Sequence, residues 1–211
     1  MIDFLSQNGS QMLLLTWEHL YISAISLVLG IIVAVPLGIL LTRFDRAATA
    51  IISIITILQT IPSLALLALM IPLFGIGKVP AIVALFLYSL MPILRNTYIG
   101  MKGVKGDLVD AAKGMGMTSL QSIFTVELPQ AAPVIMAGIR LSGVYVVAWA
   151  TLASYIGGGG LGDFIFNGLN LYVPELIIGG TIPVTLLALL VDFLLGKVEQ
   201  KVTPINLRDE R

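Results

Sequence analysis

Asp110, Ala111, Ala112 and Gly116, followed at a fixed distance by Val126, Leu128 and Pro129, form the most informative group of residues in this chain. Their chemistry is that of a contact rather than a reaction. An acid, two alanines and a glycine close together give a short helical face with little side-chain bulk, which a second backbone can approach closely. Asp110 is expected in a first helical turn, where the helix dipole favours an anion, within reach of a basic or backbone donor on a partner. Groups for covalent chemistry are scarce. The sequence has no cysteine, which removes disulfide, zinc-thiolate and thiol chemistry. No G-x4-G-K-[ST] occurs, so the chain has no phosphate loop for ATP, and fragments such as Gly103-Val-Lys-Gly106 are too short to replace one.

Two short amphipathic helices are expected to position the group. Asp107 can cap the first, placing Leu108, Ala111, Ala112 and Met115 on one face at helical spacing, and Gly114 and Gly116 then break it. Thr118-Ser-Leu-Gln121 has capping-box spacing for a second helix, with Leu120, Ile123, Phe124 and Leu128 on its face. Pro129 is expected to end that helix and Pro133 to stand at the start of the next. The competing reading is a helix lying on a membrane surface. Ala111, Ala112 and Gly116 argue against it, because membrane insertion favours bulk on the apolar side.

This polar segment sits in a chain that water alone could not dissolve. Hydrophobic residues make up 57% of the 211 positions and charged residues 11%, where a soluble domain carries about 25% charged residues. Mean hydropathy is +0.99. Net charge is zero without a basic run, which gives no case for nucleic acid. Since no Lys or Arg precedes Arg43, the N-terminus lacks the basic region of a cleavable signal peptide. A spanning helix needs about 20 apolar residues. That length selects five spans at about 20–42, 48–74, 79–99, 130–156 and 174–196, with the docking loop at 100–129, in a single transmembrane domain over 1–211. The second stretch is long enough for a span plus a bent or re-entrant end.

Basic residues orient the spans. With the N-terminus outside, Arg43, Arg46, Arg95, Lys102, Lys105, Lys113, Lys197, Lys201, Arg208 and Arg211, ten of the twelve, fall on the cytoplasmic side. Only Lys78 lies outside, and Arg140 lies within the fourth span. The expectation is therefore an outer N-terminus, a cytoplasmic C-terminus and a cytoplasmic docking loop.

Pro36, Pro62, Pro72, Pro92 and Pro183, with Gly30 and Gly38, interrupt the spans. Membrane helices tolerate such residues because neighbours re-satisfy the freed carbonyls; bends at Pro62 and Pro92 would shape a pathway and act as hinges. Tyr145, Trp149 and Tyr155 are read first as interface-belt or packing aromatics, and second, with Pro62, as candidate pathway-lining residues that a cationic solute could meet. Arg140 and Asp192 are ionisable groups in or near spans, expected to pair or to snorkel. His19, beside Glu18, is expected to play a surface role. Gly157, Gly158, Gly159, Gly160 and Gly162 cannot stay helical. They form either a flexible turn or a close-packed element at the outer gate, with backbone meeting backbone across a dimer axis; the second reading is preferred.

Asp110-Ala-Ala-Lys-Gly-Met-Gly116 and Val126-Glu-Leu-Pro129 fit, position by position, the pattern E-A-A-x3-G-x9-I-x-L-P of permease subunits of binding-protein-dependent ABC importers, with Asp for Glu and Val for Ile. Gln59-Thr-Ile-Pro-Ser63, Pro92-Ile-Leu-Arg-Asn-Thr-Tyr98 and Ala153-Ser-Tyr-Ile-Gly-Gly-Gly-Gly-Leu-Gly-Asp-Phe-Ile-Phe166 narrow the likeness. The chain resembles, over roughly residues 15–200, the osmoprotectant permeases that import glycine betaine, carnitine or choline.

The resemblance implies an all-α integral membrane protein with the type I importer permease fold, about five transmembrane helices and a cytoplasmic coupling helix. In it, Asp110, Ala111, Ala112, Gly116, Leu128 and Pro129 dock on a cytoplasmic ATPase dimer. The chain itself is then no enzyme and holds no cofactor, since ATP and magnesium belong to the ATPase. The other implied partners are an external solute-binding protein, a second permease subunit (identical or paralogous) and the lipid bilayer of a bacterial cytoplasmic membrane. Transport would run by alternating access. Methionine-type importers share the size, the five spans and a glycine-rich segment, so another small solute stays open. An ion-coupled carrier is the reading from a different class; it should carry mid-membrane acids and inverted repeats, and neither is visible.

Overall fold

The computed structural model describes residues 2–203, with side chains from residue 7 onward; Arg208 and Arg211 lie outside the described residues. The described chain is helical, with α1 at Ile2–Leu41, α2 at Asp45–Gln59, α3 at Ser63–Phe74 and α4 at Lys78–Lys102. Then come α5 at Gly106–Gly114, α6 at Ser119–Ser122, α7 at Leu128–Ala150, α8 at Gly162–Leu171 and α9 at Pro174–Val202. Four stretches are long and apolar enough to cross a bilayer: Gln7–Leu41, Lys78–Lys102, Ser119–Ile156 and Pro174–Val202. The pair α2 and α3, bent by 98°, makes a fifth if it counts as one span.

α4 forms the centre. It packs on α1 along one side and α7 along the other, while α7 carries α9 and α9 carries α8. Ala81, Ala84, Ile93 and Leu94 of α4 are fully enclosed. Small residues set these distances. A Cβ on Gly138 of α7 would lie 2.7 Å from the Pro92 carbonyl of α4, and one on Gly38 of α1 would lie 2.7 Å from Thr97. Close backbone approach of this kind is how membrane helices associate when lipid offers no hydrophobic drive. The Ser142 hydroxyl adds an interhelical bond, donating to the Ser89 carbonyl at 2.9 Å.

The prolines act differently from one another. Pro62 lies at the break between α2 and α3 and precedes the first residue of α3. Pro92, expected to bend its helix, does not interrupt α4. A proline supplies no N–H to the carbonyl four residues back, here that of Tyr88. The Gln59 side-chain amide fills the gap, donating to the Tyr88 carbonyl at 2.9 Å, and the Tyr88 hydroxyl returns a bond to the Ile61 carbonyl at 2.9 Å. One reciprocal contact thus satisfies the proline in α4 and pins the break beside it.

Pro129 also departs from expectation. It stands in the first turn of α7 and ends nothing, because Ser119–Ile156 runs on as one continuous stretch. The turn before it, Ile123–Glu127, is a π-helix. A widened turn relieves the clash a proline ring makes with the preceding carbonyl. α1 starts well before the expected 20–42, and α8 was not foreseen.

Candidate functional site

The motif loop hangs between α4 and α7. α5 begins at Gly106, and Lys105 rather than Asp107 stands at its cap position; Asp107 is in the first turn. Asp110 falls one turn later than expected and forms an exposed pair with Lys113 at 3.1 Å, of the kind that contributes about 0.3–0.5 kcal/mol. Ala111 is exposed, whereas Ala112 is fully buried. The small-residue face is thus split: Ala112 seats α5 on its own chain, and Ala111 looks outward with Leu108 and Met115, which are 38% and 69% exposed.

Gly116 closes α5 in a Schellman arrangement. Its φ is +79°, its N–H donates to the Lys113 carbonyl at 2.9 Å, and the Met117 N–H reaches the Ala112 carbonyl at 3.1 Å. A Cβ at Gly116 would meet no atom of this chain within 4 Å, so the glycine answers to backbone conformation rather than to crowding. The capping box forms as expected. The Gln121 N–H donates to the Thr118 hydroxyl at 3.3 Å, and the Thr118 N–H donates to the Gln121 side chain at 2.8 Å.

Leu128 and Pro129 are half-buried where α7 begins. Between them and α6 lies a residue that sequence reasoning passed over. Glu127 is 5% exposed. Arg43 Nη2, at the end of α1, donates to both of its carboxylate oxygens at 2.8 Å, and the Ser122 hydroxyl donates to it at 3.0 Å. Its place inside Val126-Glu-Leu-Pro129 was the available signal. Leu120 and Phe124, on the outer side of the same segment, are 67% and 65% exposed. They border a groove with Val35, Pro36 and Leu40 of α1, while Leu108, Ala111 and Met115 are the exposed small and apolar residues of the α5 end.

At the far end, the glycine run is close-packed, but against its own chain. Gly157, Gly159 and Gly160 have φ of +71°, +76° and +87°, a region that L-residues with a Cβ resist. A Cβ on Gly159 would collide with the Glu18 carboxylate, one on Gly162 with the Thr151 carbonyl, and one on Gly158 would lie 2.9 Å from Ala153. The Gly160 N–H donates to Glu18 Oε2 at 3.4 Å, and Lys78 pairs with Glu18 at 2.8 Å. The Ser154 hydroxyl donates to Asp163 across the run. Within this chain the run approaches α1 and the 3-10 turn Thr151–Ile156.

His19 corrects its expected surface role. It is fully buried beneath Gly160, with Nε2 2.9 Å from the Val147 carbonyl. Tyr145 and Trp149 come together, ring centroids 5.5 Å apart, and Tyr88 of α4 lies on the other side of Trp149 at 4.5 Å. Tyr155 stands apart, against Phe166 at 4.2 Å. Arg140 and Asp192 pair with two bonds, at 2.5 and 2.7 Å, and Glu199 lies 3.4 Å from Arg140. Among the described residues no group of acids, histidines and cysteines could hold a metal ion.

The described chain is a bundle of apolar helices with the polar motif loop at one end and the glycine-packed segment at the other. The family described as "Binding-protein-dependent transport system inner membrane component" matches residues 26–204, and the chain belongs to it. It is 61% identical to a glycine betaine/carnitine/choline transport system permease protein of Bacillus subtilis, over 99% of this chain and 96% of that one. It is 59% identical to a carnitine transport permease protein of Listeria monocytogenes, over 100% and 96%. A choline transport system permease protein of Bacillus subtilis is 58% identical, over 98% and 95%. Among solved structures, an inward-facing conformation of a methionine ABC transporter superposes with a TM-score of 0.82 at 25% identity, covering 92% of this chain and 96% of that one. The chain is thus a multi-pass bacterial membrane protein with the permease fold of ABC importers.

Proposed function

We propose that this chain forms the translocation pathway for a quaternary-amine osmoprotectant: glycine betaine, carnitine or choline. The single observation that carries the solute class is the 61% identity over 99% of the chain to a permease named for those three solutes. The methionine transporter shares the fold at 25% identity, which supports the architecture far more than the solute.

In this reading the chain works with a second permease subunit, a cytoplasmic ATPase dimer that alone binds ATP and magnesium, and an external solute-binding protein. The N-terminus is outside and the motif loop cytoplasmic, because ten of the twelve basic residues then face the cytoplasm. The residues 1–211 act as one transmembrane unit with five spans, the bent pair α2 and α3 serving as the second. The loop docks on the ATPase through the exposed residues Leu108, Ala111 and Met115, with Asp110 beside them. Ala112, Gly116, Leu128 and Pro129 shape that surface from within. At the outer end, the glycine run forms a gate element that rests on Glu18 and His19, and Pro62, Tyr145, Trp149 and Tyr155 stand near the pathway.

The test is uptake by the complete importer reconstituted in liposomes, offered glycine betaine, choline, carnitine and methionine in turn. ATP-dependent uptake of a quaternary amine, with methionine ignored, is the expected result. Uptake of methionine alone reverses the assignment, and uptake driven by an ion gradient without ATP removes it.

A further inference from the structure

Where α1 runs out of apolar sequence at Arg43, a groove opens between it and the second half of the motif loop. Val35, Pro36 and Leu40 of α1 form one wall, and Leu120, Ile123 and Phe124 form the other, around a cavity of about 420 Å³. That is the scale of a small-molecule pocket. Both walls belong to stretches long and apolar enough to cross a bilayer, Gln7–Leu41 and Ser119–Ile156. The bond from Arg43 to Glu127 holds the Leu120–Phe124 wall level with the end of the first span. Leu120 and Phe124 are 67% and 65% exposed there, and Leu40 opposite them is 55% exposed. Large apolar side chains at the membrane boundary find their partners in acyl chains.

Charge at the mouth selects the head that goes with such a chain. Arg43 borders the groove, and Glu127 engages only its Nη2. A guanidinium carries further N–H donors, so Nε and Nη1 are left to meet an anion. Arg46, three residues on, is exposed and in no ion pair among the described residues. Asp45, between the two arginines, is held by Lys102 at 2.7 Å. Arg43, Arg46 and Lys102 therefore outnumber Glu127 and Asp45, and the excess charge is positive. Basic pockets between spanning helices at the membrane surface attract anionic lipid heads.

We infer that this groove binds an anionic phospholipid, with an acyl chain between α1 and the Leu120–Phe124 wall and the phosphate on Arg43. The lipid then ties the second half of the motif loop to α1 from the bilayer side, as Glu127 ties it from within. This role is independent of the solute carried.

The experiment is photolabelling of the complete importer in phosphatidylcholine liposomes. A trace of phosphatidylglycerol or phosphatidylcholine carrying a diazirine on its acyl chain is the probe, and labelled peptides are read by mass spectrometry. Peptides holding residues 35–40 and 120–124 should take the phosphatidylglycerol probe about fivefold better, the effect of one basic residue near an anionic lipid. Excess unlabelled phosphatidylglycerol should suppress that labelling, and the exposed Leu186 and Leu190 of α9 should show no preference between probes. Arg43→Gln combined with Glu127→Gln removes the head contact without stranding a carboxylate, and should abolish the preference. Glu127→Gln alone frees Arg43 and should strengthen it. Equal labelling of the groove by both probes overturns the anionic lipid. Labelling by neither means that a partner subunit covers the groove, and overturns the site. A preference that survives in the double variant takes the phosphate off Arg43 and overturns the assignment.

Discussion

Arg43 at the end of α1 grips the buried carboxylate of Glu127, one nitrogen lying 2.8 Å from both oxygens. The pair joins the first long helix to the turn that carries the motif loop into α7. Glu127 is 5% exposed and Arg43 is half in water, its side chain 43% exposed. The cost of separating them is therefore uneven: removing the arginine leaves a buried charge, whereas removing both partners leaves little.

Arg43→Ala should accordingly destabilise the detergent-solubilised protein by about 3 kcal/mol or more, the cost of leaving a buried carboxylate without its partner. Adding Glu127→Gln should restore part of that loss. Thermal unfolding of the two single variants and the double variant measures it. Additive effects would mean the pair does not hold the loop.

Ala111→Trp should leave membrane insertion intact and abolish ATPase association and uptake, because Ala111 is exposed on the proposed docking surface. Ala112→Trp should instead disturb the loop itself, since Ala112 has no exposed surface, and the protein should lose thermal stability. Gly116→Ala should cost about 1 kcal/mol through its left-handed backbone before any docking effect. Wild-type uptake by Ala111→Trp would count against the docking role.

Topology can be read by labelling. A cysteine replacing Asn170 should react with an impermeant reagent applied outside intact cells, and one replacing Ser119 should react only after permeabilisation. Both positions are exposed. The opposite pattern inverts the molecule and removes the cytoplasmic docking argument with it.

In the glycine run, Gly159→Ala should be tolerated poorly, at about 1–3 kcal/mol, because it combines an unfavourable φ with a clash against the Glu18 carboxylate. Gly9→Ala, where a Cβ meets nothing within 4 Å, should be neutral or slightly stabilising. The double variant Gly158→Val with Gly159→Val should block uptake while co-purification of the ATPase survives. Normal transport by that variant would reduce the run to a linker.

Long apolar runs and short punctuating motifs were legible in the sequence because they depend on residues near one another. The α4 and α9 spans, the capping box at Thr118 and Gln121, and the break at Pro62 all follow from local pattern. What depended on distant neighbours was not legible. His19 looks polar beside Glu18, and only the packing of the Gly160 segment over it makes it buried. Ala111 and Ala112 are identical letters that one helical step separates into surface and core. Pro129 reads as a stop until the π-turn before it makes room. α8 escaped because Asp163, Asn167 and two glycines dilute its apolar side, and its glycine approach to α9, with Gly168 against Ile177 and Gly180 against Ile165, is a tertiary fact.

The uninterrupted passage from Ser119 to Ile156 has a mechanical consequence. Its 38 residues make a strut roughly 57 Å long at 1.5 Å per residue, with the motif loop at one end and the glycine run at the other. A strut pivoting near its middle moves its two ends in opposite directions, and a tilt of about 10° displaces each by about 5 Å. In the docking and gating roles proposed above, pushing on the loop and lifting the glycine segment are one displacement.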